Sequence, residues 1–204
     1  MISIAGDLGS GKSTIAKRLA ETLNYTYFST SMLFRKLAAE RGMDALQLNY
    51  LSETDKSIDK YIDDNLRAIN DGNDTHYILD SRMAWYFVPK SFKIYATVKP
   101  EIAAERVLND KTRFGEPEAV DLQQRVQTLL ERQNVENRRY KSIYGVDCSD
   151  LSNYDLIIDT SGHTVEELVE QILDVYKNFI YTLFKLKTLK YWILQYYCFF
   201  VKKF

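Results

Sequence analysis

The chain has little that would mark a secreted, metal-loaded or nucleic-acid-bound protein. Only two of its 204 residues are cysteine, Cys148 and Cys198, far apart and without metal-ligand or redox spacing. No disulfide is therefore predicted, and a reducing compartment is expected. The two histidines, His76 and His163, belong to no ligand cluster or nucleophile pair, which leaves them structural or solvent roles. A net charge of -1 provides no overall basic field, so no nucleic-acid partner is expected and partners must be read from local sites. The uncharged run 191–201 is too short for a membrane span, which needs about 20 apolar residues. The apolar segment 2–5 runs straight into Gly6; no signal or transit peptide is expected, and the expected location is cytoplasmic.

What is present is an ordinary globular composition, 46% hydrophobic, 13% aromatic and 27% charged, at a length that suits one α/β domain. Short apolar runs at 2–5, 25–28, 76–79, 92–98 and 154–158 read as strands. They alternate with segments of helical apolar spacing at 12–23, 32–41, 55–70, 100–109, 120–140 and 165–176. Such alternation is the pattern of βαβ units in a five-stranded, doubly wound parallel sheet. Two connections exceed a plain crossover: 30–74, wholly helical in character, and 110–119, which holds Gly115 and Pro117 between charged residues. Both read as covers over a cleft.

Between the first strand and the first helix lies Gly6-Asp7-Leu8-Gly9-Ser10-Gly11-Lys12-Ser13-Thr14, which contains G-x-x-x-x-G-K-S. A glycine turn leaving a strand and opening a helix presents backbone N–H groups and the positive helix end to phosphate oxygens. Lys12 would reach the β- and γ-phosphates, and the Ser13 hydroxyl would ligate Mg²⁺. Such a loop does not distinguish kinases from ATPases, GTPases or motor modules, so the acceptor side must decide.

That side supplies arginines from separate elements. Ser29-Thr30-Ser31-Met32-Leu33-Phe34-Arg35 follows the second strand, with hydroxyls placed to cap a helix and Arg35 one turn in. Arg35 is a candidate clamp on an acceptor phosphate; a solvated helix charge is the alternative. Arg82 follows Asp80 and Ser81 at a strand carboxyl end, where ligands sit in open α/β sheets. It is the second clamp candidate, against a rim salt bridge, and Asp80 is a candidate Mg²⁺ or water-shell carboxylate. On the helix 120–140, Arg125, Arg132, Glu136 and Arg139 form one stripe flanking the apolar positions Leu122, Val126 and Leu129. The stripe suits a phosphate-handling cleft edge or, alternatively, a solvated face.

Taken in order, several motifs resemble the cytidylate kinase family, in particular its compact archaeal-type and cytidylate-kinase-like branch. These are the loop 6–13, the segment 29–35, Asp80-Ser81-Arg82-Met83-Ala84-Trp85, and the pattern Arg132-x-x-x-Glu136-x-x-Arg139-Tyr140. Tyr144-Gly145-Val146-Asp147 ahead of Tyr154-Asp155-Leu156-Ile157-Ile158-Asp159-Thr160 completes the set. The resemblance spans residues 1–175. It implies a three-layer P-loop NTPase fold: a five-stranded parallel sheet with a helical acceptor-binding insert at 30–74 and a lid at 110–119. It also implies transfer of the ATP γ-phosphoryl to CMP or dCMP with Mg²⁺. Carried over residue by residue, Ser29, Arg35 and Arg82 would bind the acceptor, and Arg132 and Arg139 would contact the phosphates during transfer. Glu136 would take the acidic place between them, and Arg106 would pack against the ATP base. Ser31 stands where the family has glycine, and Glu136 where bacterial members have aspartate. A kinase of another small acceptor (AMP, a nucleoside or a metabolite alcohol) and a nucleotide-binding regulator without turnover are the competing readings. The four retained arginines argue against the regulator.

The end of the chain is different in kind. Residues 175–204 hold six lysines and no acid, which leaves 21 basic against 28 acidic groups in the rest. The aromatic, lysine-rich extension 176–204 suits a helix on an anionic bilayer, a surface for self-association, or a segment with no selected role.

Overall fold

In a computed structural model of the chain, residues 1–43, 45–110 and 121–201 are described. The expected lid, from residue 111 on, lies outside the described residues, as do the side chains of 45, 46, 49, 53, 183 and 186–201. The chain divides into two compact units, Met1–Val165 and Glu166–Phe204.

The first unit is built on five parallel strands, β1 (Ile2–Gly6), β2 (Thr26–Ser29), β3 (Tyr77–Asp80), β4 (Phe92–Thr97) and β5 (Leu156–Asp159). Their order is β2-β3-β1-β4-β5. The central strand is covered on both faces: Ile2 and Ile4 on one side and Ser3 and Ala5 on the other are all buried. From β1 the chain leaves toward β2, and from its neighbour β3 it leaves in the opposite direction toward β4. The crevice beyond the carboxyl ends of β1 and β3 is therefore the topological switch point, where open α/β sheets bind ligands. The glycine loop and Asp80-Ser81-Arg82 both emerge there.

Local chemistry sets the helix limits. α1 (Lys12–Leu23) buries Ile15, Ala16, Leu19 and Ala20 along one stripe and ends at Asn24 in the left-handed conformation. Ser29 caps α2 (Thr30–Glu40) by accepting the Met32 N–H, and Asp55 caps α4 (Lys56–Asp71) through Ser57. Between them runs α3 (Ala45–Thr54), so the insert expected at 30–74 resolves into three helices. The short α5 (Ala84–Phe87) and a 3-10 turn at Leu151–Asn153 escaped the periodicity, each being too short to show one. Pro100 occupies the first turn of α6 (Pro100–Asn109). Asp121 caps α7 (Leu122–Tyr144), and Gly145, with φ 71°, ends it.

The second unit is the helix α8 (Val165–Val201), which runs without break past residue 175. Within it Lys177 pairs with Asp174 at 3.3 Å, the Lys185 ammonium lies over the Tyr181 ring, and Ile180, Tyr181 and Phe184 are exposed. No helix among the described residues is long and apolar enough to cross a membrane.

Candidate active site

The loop Gly6–Thr14 owes its shape to two glycines, one in a close approach and one with positive φ at the helix start. Gly6 has φ 152°, and a Cβ there would lie 2.3 Å from the Ala96 carbonyl oxygen of the adjoining strand. Only glycine fits. Gly11, at φ 77°, starts α1, and a Cβ on it would meet nothing nearer than Arg106 Nη1 at 4.0 Å. α1 thus begins at a glycine with its positive end at the loop, the arrangement that suits a phosphate. The Ser10 hydroxyl is buried and makes no hydrogen bond.

Asp7, singled out only as part of the loop, turns its carboxylate into the protein. It accepts hydrogen bonds from the Tyr95 hydroxyl at 2.8 Å, the Val98 N–H at 3.2 Å and Gln133 Nε2 at 2.9 Å. Gln133 Oε1 in turn accepts the Leu8 N–H at 3.4 Å. The Tyr95 phenol is pushed up by burial and by Asp7. Leu8 packs on the cluster formed by Ala103, Ala104, Val107 and Leu129 between α6 and α7.

The structure brings Arg82, Arg132 and Glu136 together beside Lys12. Glu136 accepts from Arg82 Nε and Arg132 Nε, each at 3.0 Å, through different oxygens. Burial alone would raise the Glu136 pKa; Arg82, Arg132 and Lys12 outweigh it and hold the carboxyl below its ordinary value. Three cations thus act on one carboxylate. Arg82 is the most enclosed of the group, and its Nη2 is buried without a hydrogen-bond partner. A buried guanidinium N–H with no acceptor costs free energy, which an incoming anion would recover.

A second cluster joins Asp80 to α1. The Tyr27 hydroxyl donates to Asp80 Oδ2 at 2.8 Å. Burial first, then Asp80, raises the Tyr27 pKa, and its hydroxyl also engages Ser29 and Ser13. Ser13, the exposed first-turn hydroxyl of α1, and buried Asp80 are therefore neighbours through Tyr27. Strand alternation alone did not single out Tyr27, because β2 is four residues long.

The remaining arginines separate. Arg35 is exposed on α2 and makes no ion pair among the described residues. Ser29 is buried and its oxygen serves the α2 cap. Arg106 donates to the Ser10 carbonyl at 3.4 Å and to the Thr160 hydroxyl and carbonyl at 3.0 and 2.6 Å, bracketing the start of α1. Arg139 is tied to the helical insert: it donates to Ser52 of α3 at 3.2 Å and to Asp59 of α4 at 2.7 Å. Asp63 and Tyr144 add a parallel bond between α4 and α7 at 2.8 Å. Arg125 corrects the expected stripe. It is buried, 6% exposed, rather than at a cleft edge. Arg125 and Arg132 share an azimuth but lie about 10 Å apart along the helix, so one face meets the α6 cluster at the first level and the cleft at the second.

A phosphate loop at the switch point, confronted by Arg82 from another strand end and Arg132 from α7, defines a P-loop kinase rather than a bare nucleotide hydrolase. Comparison with known proteins narrows the class. The family model described as AAA domain matches residues 2–127. The cytidylate kinase of Haloarcula marismortui is 38% identical over 163 residues, covering 79% of this chain and 81% of that protein. That of Pyrobaculum aerophilum is 36% identical, covering 85% and 91%. The chain belongs to the AAA domain family of that match and, more narrowly, to the cytidylate kinase family. Among solved structures, shikimate kinase from Bacteroides thetaiotaomicron shares the fold at a TM-score of 0.63 and 12% identity, covering 86% of this chain and 97% of that one. Shikimate kinase from Aquifex aeolicus does so at 0.55 and 17%, covering 88% and 97%.

Proposed function

We propose that the protein transfers the γ-phosphoryl group of ATP to the phosphate of CMP or dCMP. The P–O bond to the ADP leaving group breaks as one to an acceptor phosphate oxygen forms, and no side-chain base is required. The observation that carries this reading is the Glu136 carboxylate bridging Arg82 and Arg132 beside Lys12. It preorganises cations from three elements around the space where charge moves during transfer.

In this reading the loop N–H groups and Lys12 bind the ATP phosphates, and Arg106 flanks the nucleotide at the start of α1. Arg82, with its unspent Nη2, grips the acceptor phosphate, and Arg35 approaches from α2. Arg132 neutralises the transferring group, while Glu136 fixes the directions of both guanidiniums. Arg139, held by Ser52 and Asp59, orders the insert against α7.

The residues fit Mg²⁺. Ser13 and Asp80 form an all-oxygen donor set of the kind a hard cation takes, and no group of three or more His, Cys, Asp or Glu converges among the described residues. An ion there would share ligands with nucleotide phosphates and waters. When bound, it supplies charge neutralisation across the β- and γ-phosphates.

The test is ATP- and Mg²⁺-dependent phosphorylation over a panel of CMP, dCMP, UMP, AMP and small alcohols. CMP or dCMP is expected to give the highest kcat/KM. Efficient turnover of another acceptor with neither cytidylate consumed would remove the acceptor assignment.

A further inference from the structure

We infer that Gln133 is a positioning residue that locks helix α7 onto the phosphate loop, holding Arg132 and Glu136 in register with Lys12. The inference rests on the kinase reading above and adds a residue to it that no motif contained.

The geometry is a two-point latch. One end of the Gln133 amide donates to Asp7 Oδ1 at 2.9 Å and the other accepts the Leu8 N–H at 3.4 Å. The Asp7 carboxylate takes hydrogen bonds from three donors and the Leu8 backbone N–H only donates, so the amide fits in one orientation and joins two consecutive loop residues. Apolar packing reinforces the same contact. Leu8 rests on the α6–α7 cluster, whose Leu129 lies one turn before Gln133. Arg132 directly precedes Gln133, and Glu136, which bridges Arg132 and Arg82, comes one turn later. Any roll or slide of α7 would therefore break the latch and displace the arginine that faces the transferring group.

Asp7 is anchored independently of Gln133, by the Tyr95 hydroxyl at 2.8 Å and the Val98 N–H at 3.2 Å. Loss of the latch should thus leave the loop formed and competent to bind ATP while α7 loses its register. A misplacement of about 1 Å is enough to cost up to about 100-fold in rate. A residue needed only for folding would lower stability without separating these two effects.

Four variants, assayed with ATP and whichever panel acceptor the wild type uses best, test the latch. Gln133→Ala should lower kcat by about 10–100-fold with the KM for ATP changed less than about threefold. Gln133→Glu, which sets a carboxylate against that of Asp7, should fall further. Asp7→Asn alone loses the matched pair and should fall by about 10-fold. Combined with Gln133→Glu it restores a donor at position 7 and an acceptor at 133, and should return kcat to within about fivefold of wild type. An unchanged kcat in Gln133→Ala, a KM for ATP that rises as kcat falls, or a double variant no better than Gln133→Glu would each overturn the inference. A second readout needs no turnover. Amide hydrogen exchange at Leu8, followed in the substrate-free protein, should accelerate in Gln133→Ala, and unchanged exchange refutes the latch. If the wild type phosphorylates nothing in the panel, the functional reading fails while the exchange measurement still decides the latch.

Discussion

The Asp63–Tyr144 contact offers a prediction whose size and sign can be worked out. Asp63 lies on α4, buried at 7% exposure, and accepts the Tyr144 hydroxyl of α7 at 2.8 Å. Burial raises its pKa from 3.8 to about 6, against the Tyr144 hydrogen bond and the Arg67 charge, with Asp59 and Asp64 adding to the rise. A carboxyl with a raised folded-state pKa binds its proton more tightly when folded. Its contribution to stability is complete below about pH 3.8, is lost as pH rises through the window to about 6, and is absent above it. Two pK units correspond to a penalty on the order of 3 kcal/mol at pH 8, and to about 1 kcal/mol at pH 4.5. Asp63→Asn keeps an acceptor for Tyr144 but removes the buried charge. It should therefore raise the thermal midpoint at pH 8 by roughly 6–12 °C, and the gain should shrink to about a third at pH 4.5. Thermal unfolding followed by circular dichroism at the two pH values decides the matter. A gain of equal size at both, or a loss at pH 8, would show that the ionised carboxylate is not penalised and refute the reasoning.

Other outcomes follow from the site and its frame. Lys12→Ala should lower kcat by about 100-fold or more while the far-UV spectrum is retained, because its charge acts most strongly on the transferring phosphoryl; wild-type turnover would remove the loop from the mechanism. Arg132→Ala should depress kcat, whereas Arg82→Ala and Arg139→Ala should chiefly raise the acceptor KM, since the first loses a phosphate clamp and the second the ties to Ser52 and Asp59. Identical effects on kcat and KM in all three would contradict that division. Gly6→Ala sets a methyl 2.3 Å from the Ala96 oxygen and should cost more than about 4 kcal/mol, read as loss of soluble protein; a midpoint near wild type would mean that β1 and β4 can separate without penalty. Deleting residues 180–204, beyond every proposed catalytic side chain, should leave kcat/KM within about threefold, under 1 kcal/mol of barrier, and a larger loss would assign the extension to the working protein.

What the sequence alone determined is what short-range chemistry determines. The glycine loop was legible because Gly6, Gly11, Lys12 and Ser13 lie within eight residues and act through backbone geometry that neighbours along the chain dictate. The five strands and most helix limits were legible for the same reason: the strands are short apolar-rich runs, and Ser29, Asp55 and Asp121 satisfy N–H groups two or three positions away. A strand end and a helical stripe singled out Arg82, Arg132 and Glu136 as candidates, and the family resemblance supplied the roles expected of them. Only the tertiary structure decided which of these groups meet. The partners of Arg139 lie 80 and 87 positions away and Asp80 lies 53 from Tyr27, separations over which no periodicity sets a contact. Helical periodicity gives azimuth without axial level, so Arg125 and Arg132 looked equivalent although one is buried and the other borders the cleft. Asp7 and Gln133 are 126 positions apart, and their pairing exists because α7 packs on α6 at the level where Leu8 leaves the sheet. A hydrogen bond is decided by about an ångström of placement, and that placement comes from the packing of the whole core.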